Sequence, residues 1–281
     1  MPDKLEPFLG KIPRFARDDR PPMTATPHPY TPAELMAAVA ARELRDGEVV
    51  FVGIGLPNLA CNLARATHAP NLVLIYESGA IGAVPERLPV SIGDPSLVTG
   101  SLMVCGMADV FQCLLQNGRI QVGFLGGAQI DRYGNINTTV VGTYRRPEVR
   151  LPGSGGAAEI AIHARRTVVV SRLNRRAFPE TVDFVTSPGH RSHGHTREEL
   201  GMPGAGPVKV VTDKAVLEPD PDSGELVLAA LYPGVEADEV RAGIGWPLRQ
   251  RPSLASVAAP TDQELHLLRN VLDPDRLYLK G

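Results

Sequence analysis

The sequence has 281 residues, of which 43% are apolar and 21% are charged, and its formal net charge is -2. This composition is ordinary for a soluble globular protein, and the absence of a basic excess argues against a nucleic-acid partner. No apolar run approaches the roughly 18–20 residues that span a bilayer, so no membrane association is predicted. A chain of this length can bury a sizeable core without disulfides or a structural metal.

The three cysteines, Cys61, Cys105 and Cys113, form no C-x-x-C pair and are odd in number. A disulfide framework or a zinc ribbon is therefore not expected, and a reducing, cytoplasmic location is predicted. Residues 1–29 mix proline with charge and contain no apolar signal core, so we interpret them as a flexible tail. A single domain is expected over residues 30–272, followed by a C-terminal tail at 273–281.

The first half of the domain alternates helices and strands. Thr31-Pro32-Ala33-Glu34 has the pattern of a capping box with proline at the first helical position, which predicts a helix start. The elements predicted after this helix are a strand at 48–52, a helix at 57–67, a strand at 72–76, a helix at 107–116 and a strand at 120–125. This alternation is typical of a sheet with parallel strands and covered faces.

The second half contains more strand pattern than helix pattern. The segments 128–131 and 136–141 flank Arg132-Tyr133-Gly134-Asn135, which predicts a hairpin. Further elements are predicted as a helix at 159–164, strands at 208–217 and 225–231, and a final helix that opens with a capping box at Thr261. The expected fold class is therefore α/β, with an open, mixed, largely parallel sheet and helices on both faces.

Several common sites are missing from the sequence. It contains no phosphate-binding G-x-x-x-x-G-K-[ST], no dinucleotide-binding G-x-G-x-x-G after a strand, no H-E-x-x-H and no G-x-S-x-G. His190, His193 and His195 cluster in a segment rich in Gly, Ser and Arg, which favours a solvated loop over a metal site. No metal site is therefore predicted.

Three glycine-centred loops remain as candidates for a ligand site. Gly53-Ile54-Gly55 follows the first predicted strand, and Glu77-Ser78-Gly79 follows the second. Loops beyond the carboxyl ends of strands in α/β sheets meet at one edge, where ligands bind. Glu77 is the one carboxylate placed directly at such a strand end. From the residues alone it is either a catalytic group or a solvated, helix-capping glutamate.

The third loop, Gly153-Ser154-Gly155-Gly156, precedes the helix predicted at 159–164. It is either a flexible connection or a source of free main-chain N–H groups at a helix N-terminus, which suit an oxyanion or a phosphate. Arg145, Arg146 and Arg150 lie just upstream. A solvated charged face is the favoured interpretation of these arginines, and a role in holding a ligand phosphate is the alternative.

Four separated motifs carry a resemblance to a known family. In order they are GIGLPNLACNLA, YESGAIG, GFLGGAQIDRYGNINTT and RLPGSGGAAEI. Over about residues 32–250 the chain resembles the β-subunit half of class I coenzyme A transferases, in particular the glutaconate type. The resemblance implies an open α/β sheet, a catalytic glutamate at Glu77, and an acyl-CoA site lined by Gly153, Gly155 and Gly156, with Gly53, Gly55 and Gly79 in supporting loops.

The implied chemistry suits a glutamate. A carboxylate is a weak nucleophile, but the thiolate leaving group of a thioester makes attack on acyl-CoA feasible. The product is a mixed anhydride, which returning coenzyme A converts to a glutamyl thioester on Glu77. Main-chain N–H groups of Gly155 or Gly156 would stabilise the tetrahedral oxyanion. Coenzyme A is thus a substrate, and no permanently bound cofactor is expected.

The same resemblance implies a partner. Class I transferases pair two related halves, and this chain matches one of them, so we expect an α subunit, an α2β2 assembly and an active site at the interface. The substrates would be an acyl-CoA and a carboxylic acid. Two other hypotheses stay open: the β subunit of a CoA-ester hydrolase that opens a carbon ring in steroid catabolism, and a non-catalytic acyl-CoA-binding or regulatory protein.

Overall fold

The computed structural model describes residues 29–85 and 87–279, so residues 1–28 of the predicted tail lie outside the described part of the chain. The strands are β1 Val49–Phe51, β2 Val73–Ile75, β3 Ala80–Ile81, β4 Met103–Val104, β5 Val122–Leu125, β6 Gln129–Ile130, β7 Ile136–Asn137, β8 Val140–Thr143, β9 Arg146–Arg150, β10 Arg166–Val170, β11 Arg191–Ser192, β12 His195–Thr196, β13 Pro207–Val211, β14 Ala215–Pro219, β15 Leu226–Leu231 and β16 Gln250–Ser256. The α-helices are α1 Pro32–Arg42, α2 Leu56–Ala66, α3 Met107–Asp109, α4 Ala157–His163, α5 Ala237–Ala242 and α6 Asp262–His266.

Ten of these strands form one sheet in the order β16-β15-β14-β13-β10-β5-β1-β2-β3-β4. The five central strands, from β13 to β2, run parallel to one another. Antiparallel hairpins extend the sheet on both sides, through β3 and β4 at one end and through β14 and β15 at the other. The predicted mixed, largely parallel sheet is therefore confirmed.

Side chains alternate along each strand, so both faces of this sheet carry apolar side chains. Helices pack on both faces and bury them. On one face, Val50 and Leu74 pack in a core with α1 and α2. On the other face, Phe51 and Ile75 pack in a second core with α4 and the residues after α3. The first helix begins as predicted, since Glu34 N–H donates to Thr31 Oγ1 and Thr31 N–H donates to Glu34 Oε2. No helix in the described ranges is long and apolar enough to cross a bilayer.

Two segments predicted as single strands are each divided in two. The segment 208–217 is a hairpin of β13 and β14, because Thr212 Oγ1 accepts the N–H groups of Lys214 and Ala215 and so closes a turn. The segment 136–141 is divided between β7 and β8, because Asn137 Oδ1 accepts the N–H groups two and three residues ahead. In both places a side chain competes with the strand for main-chain hydrogen bonds.

The helix predicted at 107–116 is present, but most of it is not α-helical. After α3, Val110–Leu115 forms a π-helical segment, which ends where the N–H of Gln116 donates to the carbonyl of Phe111, five residues earlier. Such π-helical turns are rare in proteins, and those that do occur are often found at functional sites. This one carries Phe111, whose position is described with the candidate active site.

The C-terminal segment packs on the domain, although the sequence interpretation places it outside as a tail. The buried carboxylate of Asp273 accepts the N–H groups of Leu277, Tyr278 and Leu279 at 2.6–2.9 Å. Leu279 is itself buried, and the hydroxyl of Tyr278 donates to the carbonyl of Pro89. Residues 273–279 are therefore held in place by one carboxylate and one buried leucine.

We expect Asp273→Ala to lower the free energy of unfolding by at least about 2 kcal/mol, because the substitution leaves three N–H groups without their acceptor. Asp275→Ala is the matched control, since Asp275 is exposed two residues away, and should change stability by less than about 0.5 kcal/mol. Urea unfolding followed by circular dichroism measures both. Equal stability of the two variants would show that the C-terminal segment adds nothing to the fold.

Candidate active site

Glu77 lies at the tip of the hairpin that joins β2 to β3. The N–H of Tyr76 donates to the carbonyl of Ala80 at 3.0 Å, and the N–H of Gly79 donates to the carbonyl of Tyr76 at 2.9 Å. Gly79 has φ +104°, and a Cβ atom there would stand 1.9 Å from the carbonyl oxygen of Cys105. Only glycine allows this approach, and the approach fixes the turn that presents the half-buried Glu77.

A buried hydrogen bond supports the turn from below. The hydroxyl of Tyr76 accepts a hydrogen bond of 2.7 Å from the side-chain amide of Asn58, near the start of α2. Burial raises the pKa of the Tyr76 phenol, so the group stays neutral at ordinary pH. The side chain of Asn62 donates in turn to Asn58. The residue before Glu77 is thus tied to the helix that follows β1.

The glycine-rich loop reaches Glu77 from a distant part of the sequence. A Cβ atom on Gly156 would lie 3.5 Å from Oε1 of Glu77, and one on Gly155 would lie 3.9 Å from both carboxylate oxygens. Gly155 has φ +46°, in the left-handed region that favours glycine. Gly153 lies farther away, where its N–H donates to the carbonyl of Thr138 at 2.8 Å and anchors the loop.

The N–H groups of Gly155 and Gly156 have no hydrogen-bond acceptor among residues 29–85 and 87–279. Gly156 directly precedes α4, so the two donors lie at the positive end of a short helix. Two unsatisfied main-chain donors therefore lie beside one carboxylate. Such donors can stabilise the negative charge that develops on a carbonyl oxygen when the carboxylate attacks that carbonyl group.

An aromatic side chain that no sequence pattern indicated closes the site on one side. A Cβ atom on Gly156 would lie 2.4 Å from Cζ of Phe111, so the ring packs directly on the glycine. The ring of Phe111 also contacts Phe51 of β1, with ring centroids 5.5 Å apart. Phe111 therefore holds the glycine-rich loop at its distance from Glu77 and places an apolar wall next to it.

A cleft of about 390 Å³ lies where β1 and β5 end. The chain continues from β1 to β2 on one side and later adds β5 on the other, so this is the switch point at which α/β sheets bind ligands. Gly53, Gly126 and Arg172 are among its lining residues. Gly55, with φ +99°, is the residue that precedes α2. Gly53 thus lines the cleft and Gly55 lies in the same loop, whereas Gly79 shapes the turn of Glu77, which is not among the lining residues.

The other candidate groups lie elsewhere. His193 and His195 are exposed, as a solvated loop requires, but His190 is half-buried and its Nε2 is 2.8 Å from the carbonyl oxygen of Pro207. Burial lowers the pKa of His190. Within the described ranges no group of three His, Cys, Asp or Glu side chains is arranged to hold a metal ion.

The upstream arginines are exposed on the hairpin of β8 and β9. Arg150 stacks over the ring of Tyr144, with its guanidinium carbon 5.1 Å from the ring centroid. Its guanidinium also donates to the carbonyl of Tyr144. These contacts agree with a solvated charged face.

Comparison with known proteins identifies several that are similar to this chain. A family profile described as coenzyme A transferase matches residues 33–243. The B subunit of the 3-oxoadipate CoA-transferase of Pseudomonas knackmussii is 49% identical over 240 residues, which cover 85% of this chain and 92% of the relative. The crystal structure of glutaconate coenzyme A-transferase from Acidaminococcus fermentans has a TM-score of 0.83 and 34% identity, and the match covers 90% of this chain and 98% of the other. The IpdB subunit of a cholesterol ring-cleaving hydrolase of Mycobacterium bovis is 28% identical over 249 residues, which cover 88% of this chain and 96% of the relative.

The sheet topology defines an α/β protein with a cleft at its switch point, beyond the carboxyl ends of parallel strands, where proteins of this class bind ligands. Within this class, the family profile that matches residues 33–243 and the relatives at 34% and 49% identity show which family the chain belongs to. The chain belongs to the coenzyme A transferase family and is a B-type (β) subunit of a CoA-transferase. The resemblance found in the four sequence motifs is confirmed.

Proposed function

We propose that this subunit carries the covalent step of coenzyme A transfer on Glu77. The observation that carries the proposal is the closeness of the glycine-rich loop to the carboxylate of Glu77: Cβ atoms built on Gly155 and Gly156 would lie 3.5–3.9 Å from its oxygens. A carboxylate in that place can act as the nucleophile, and the two free N–H groups can act as oxyanion donors.

The reaction is a sequence of four acyl transfers. The carboxylate of Glu77 attacks the thioester carbon of acyl-CoA, the C–S bond breaks, and the thiolate of coenzyme A leaves. This thiolate attacks the glutamyl carbonyl of the resulting anhydride and releases the first carboxylate. The acceptor carboxylate then attacks the glutamyl thioester and again releases the thiolate. Attack of the thiolate on the acceptor carbonyl regenerates Glu77 and yields the new acyl-CoA, so the cycle consumes no water.

The oxyanion donors act in each of these transfers. Every step passes through a tetrahedral intermediate that carries negative charge on oxygen, and in this proposal the N–H groups of Gly155 and Gly156 donate to that oxygen. One such donor typically contributes about 3 kcal/mol to the transition state. The wall formed by Phe111 strengthens this interaction because it keeps water from one side of the loop.

The proposal includes the substrates and the partner. Relatives are named for 3-oxoadipate and glutaconate, which are both dicarboxylic acids, so a dicarboxylic acid is the first choice for the acyl group or the acceptor. Because the relatives are named as B subunits, the working enzyme contains an A (α) subunit, with α2β2 as the proposed assembly. The active site then lies at the interface between the two subunits.

Covalent capture tests the proposal. The chain, assembled with its A subunit, is incubated with glutaconyl-CoA or 3-oxoadipyl-CoA without an acceptor and is then reduced with borohydride. We expect mass spectrometry to find the reduced side chain at position 77. Modification of another carboxylate would reject Glu77 as the nucleophile.

A second measurement separates transfer from hydrolysis. Free coenzyme A is measured with and without a panel of acceptor acids that includes the two dicarboxylates and one monocarboxylate. Exchange that requires an acceptor is the expected result. Release of coenzyme A without an acceptor would instead indicate a hydrolase, and the absence of turnover by the assembled complex would indicate a binding or regulatory protein.

A further inference from the structure

A segment next to the candidate active site is apolar and carries no charge. Residues 95–108 contain no Asp, Glu, Lys or Arg, although charged residues make up 21% of the chain. Five side chains in this segment are 50–70% exposed, and we call them the apolar rim. Its members are Val98, Leu102, Met103, Val104 and Met107. Exposed apolar side chains concentrated in one segment in this way are typical of an interaction site.

The two edge strands of the ten-stranded sheet differ in how they are protected against pairing with another chain. The edge strand β16 contains Arg251 and Pro252, and Arg251 forms an ion pair with Glu218. Charge and proline are the usual protection of an edge strand against pairing with another chain. The opposite edge, β4, consists of Met103 and Val104, has both side chains exposed and carries no such protection. An unprotected edge is expected where another chain covers it.

The apolar rim is continuous with the turn that carries Glu77. The N–H of Cys105 donates to the carbonyl of Gly79 at 3.1 Å, and the carbonyl of Cys105 is the group against which Gly79 packs. The side chain of Leu102 lies against Gly82 at the end of β3. A molecule bound to the rim therefore lies beside the catalytic turn.

We propose that the apolar rim and the outer edge of β4 bind the A subunit of the transferase. This inference rests on the proposed function, because the partner is the second subunit that the relatives' names imply. The partner must offer an apolar, uncharged surface, since any charge buried against the rim would lack a counter-ion. Bound there, it covers the exposed edge and encloses the site from the side of the turn.

Two matched substitutions test the location of the interface. Val104→Glu places a charge on the rim, and Val149→Glu makes the same change at a 50% exposed valine in β9, which is also an edge strand. We expect Val104→Glu to weaken binding of the A subunit by at least about tenfold in Kd, since charged side chains are depleted from interface centres. Val149→Glu should leave Kd unchanged. Isothermal calorimetry measures Kd, and the melting temperatures of the isolated variants verify that both fold.

Hydrogen exchange identifies what occupies the rim. We expect the amides of residues 98–107 to exchange more slowly in the complex than in the isolated chain. Protection that is already present in the isolated chain and disappears on dilution would assign the rim to a second copy of this chain. Protection that disappears when residues 1–28 are removed would assign it to the chain's own N-terminus. Either result, or an unchanged Kd for Val104→Glu, overturns the proposal.

These readouts do not depend on turnover. A complex that forms normally with Val104→Glu, yet still gives borohydride capture at position 77, would reject the interface and keep the catalytic proposal. A complex that is weakened by Val104→Glu, but gives borohydride capture at another residue, would keep the interface and reject the catalytic proposal.

Discussion

Replacing Glu77 by glutamine is expected to lower the turnover number of the assembled enzyme by at least about 10⁴-fold, because an amide cannot form the anhydride or the thioester on which transfer depends. The substitution preserves the size of the side chain and its contact with the glycine-rich loop. The fall should therefore appear in kcat, while the Kd for coenzyme A, measured by calorimetry, should change by less than about threefold.

Two further variants separate the role of the nucleophile from that of charge. Glu77→Asp keeps the carboxylate but withdraws it from the N–H groups of Gly155 and Gly156, so we expect a turnover number between those of the wild type and Glu77→Gln. Glu159→Gln is the matched control, because Glu159 lies in α4, just after the same loop, and its carboxylate contacts Gln116 and His163. A loss for Glu159→Gln as large as that for Glu77→Gln would contradict the assignment.

The closeness of Glu77 to the glycine-rich loop is predictable from the sequence because parallel strands place their carboxyl ends at one edge. The strand before Glu77 was recognisable from its apolar residues and the glycines after it. The loop at Gly153 lies far away in sequence, yet its meeting with Glu77 follows from the same topology and from the motifs of the family. The apolar rim is not predictable from the sequence, since sequence pattern does not separate a buried apolar run from an exposed one.

Other features depend on contacts that local pattern does not encode. Phe111 packs on Gly156 across 45 positions of sequence, and Cys105 packs on Gly79 across 26. The predicted strands at 136–141 and 208–217 were divided by the side-chain hydrogen bonds of Asn137 and Thr212, which outweigh the β propensity of the residues around them. The packing of the C-terminal segment is not predictable from pattern, because its anchor is the buried Asp273 and aspartate is rarely buried.

We expect a second large effect on the turnover number when Gly156, on which Phe111 packs, is replaced by a larger residue. Gly156→Val would place Cβ 2.4 Å from the ring of Phe111, so the ring and the loop must move apart, and the distance of the loop from Glu77 Oε1, 3.5 Å at this Cβ, changes with them. Because loss of one oxyanion donor costs about 10²–10³-fold in turnover, we expect a fall of that size in kcat. The KM for acyl-CoA should change by less than about tenfold, since the donors act on the transition state rather than on the bound substrate.

Gly153→Val is the matched control for this variant. Gly153 has φ +102°, so a side chain there strains the main chain, but no heavy atom lies within 4 Å of its ideal Cβ. We expect it to lower thermal stability while changing kcat by less than about fivefold, because the loop beside Glu77 stays in place. Steady-state kinetics of the assembled enzyme compares the two. Loss of affinity for coenzyme A with unchanged kcat in Gly156→Val would make the loop a cofactor clamp, and unchanged kinetics would make it a connection only. A fall in kcat specific to Gly156 ties the distance between this loop and Glu77 to the rate of acyl transfer.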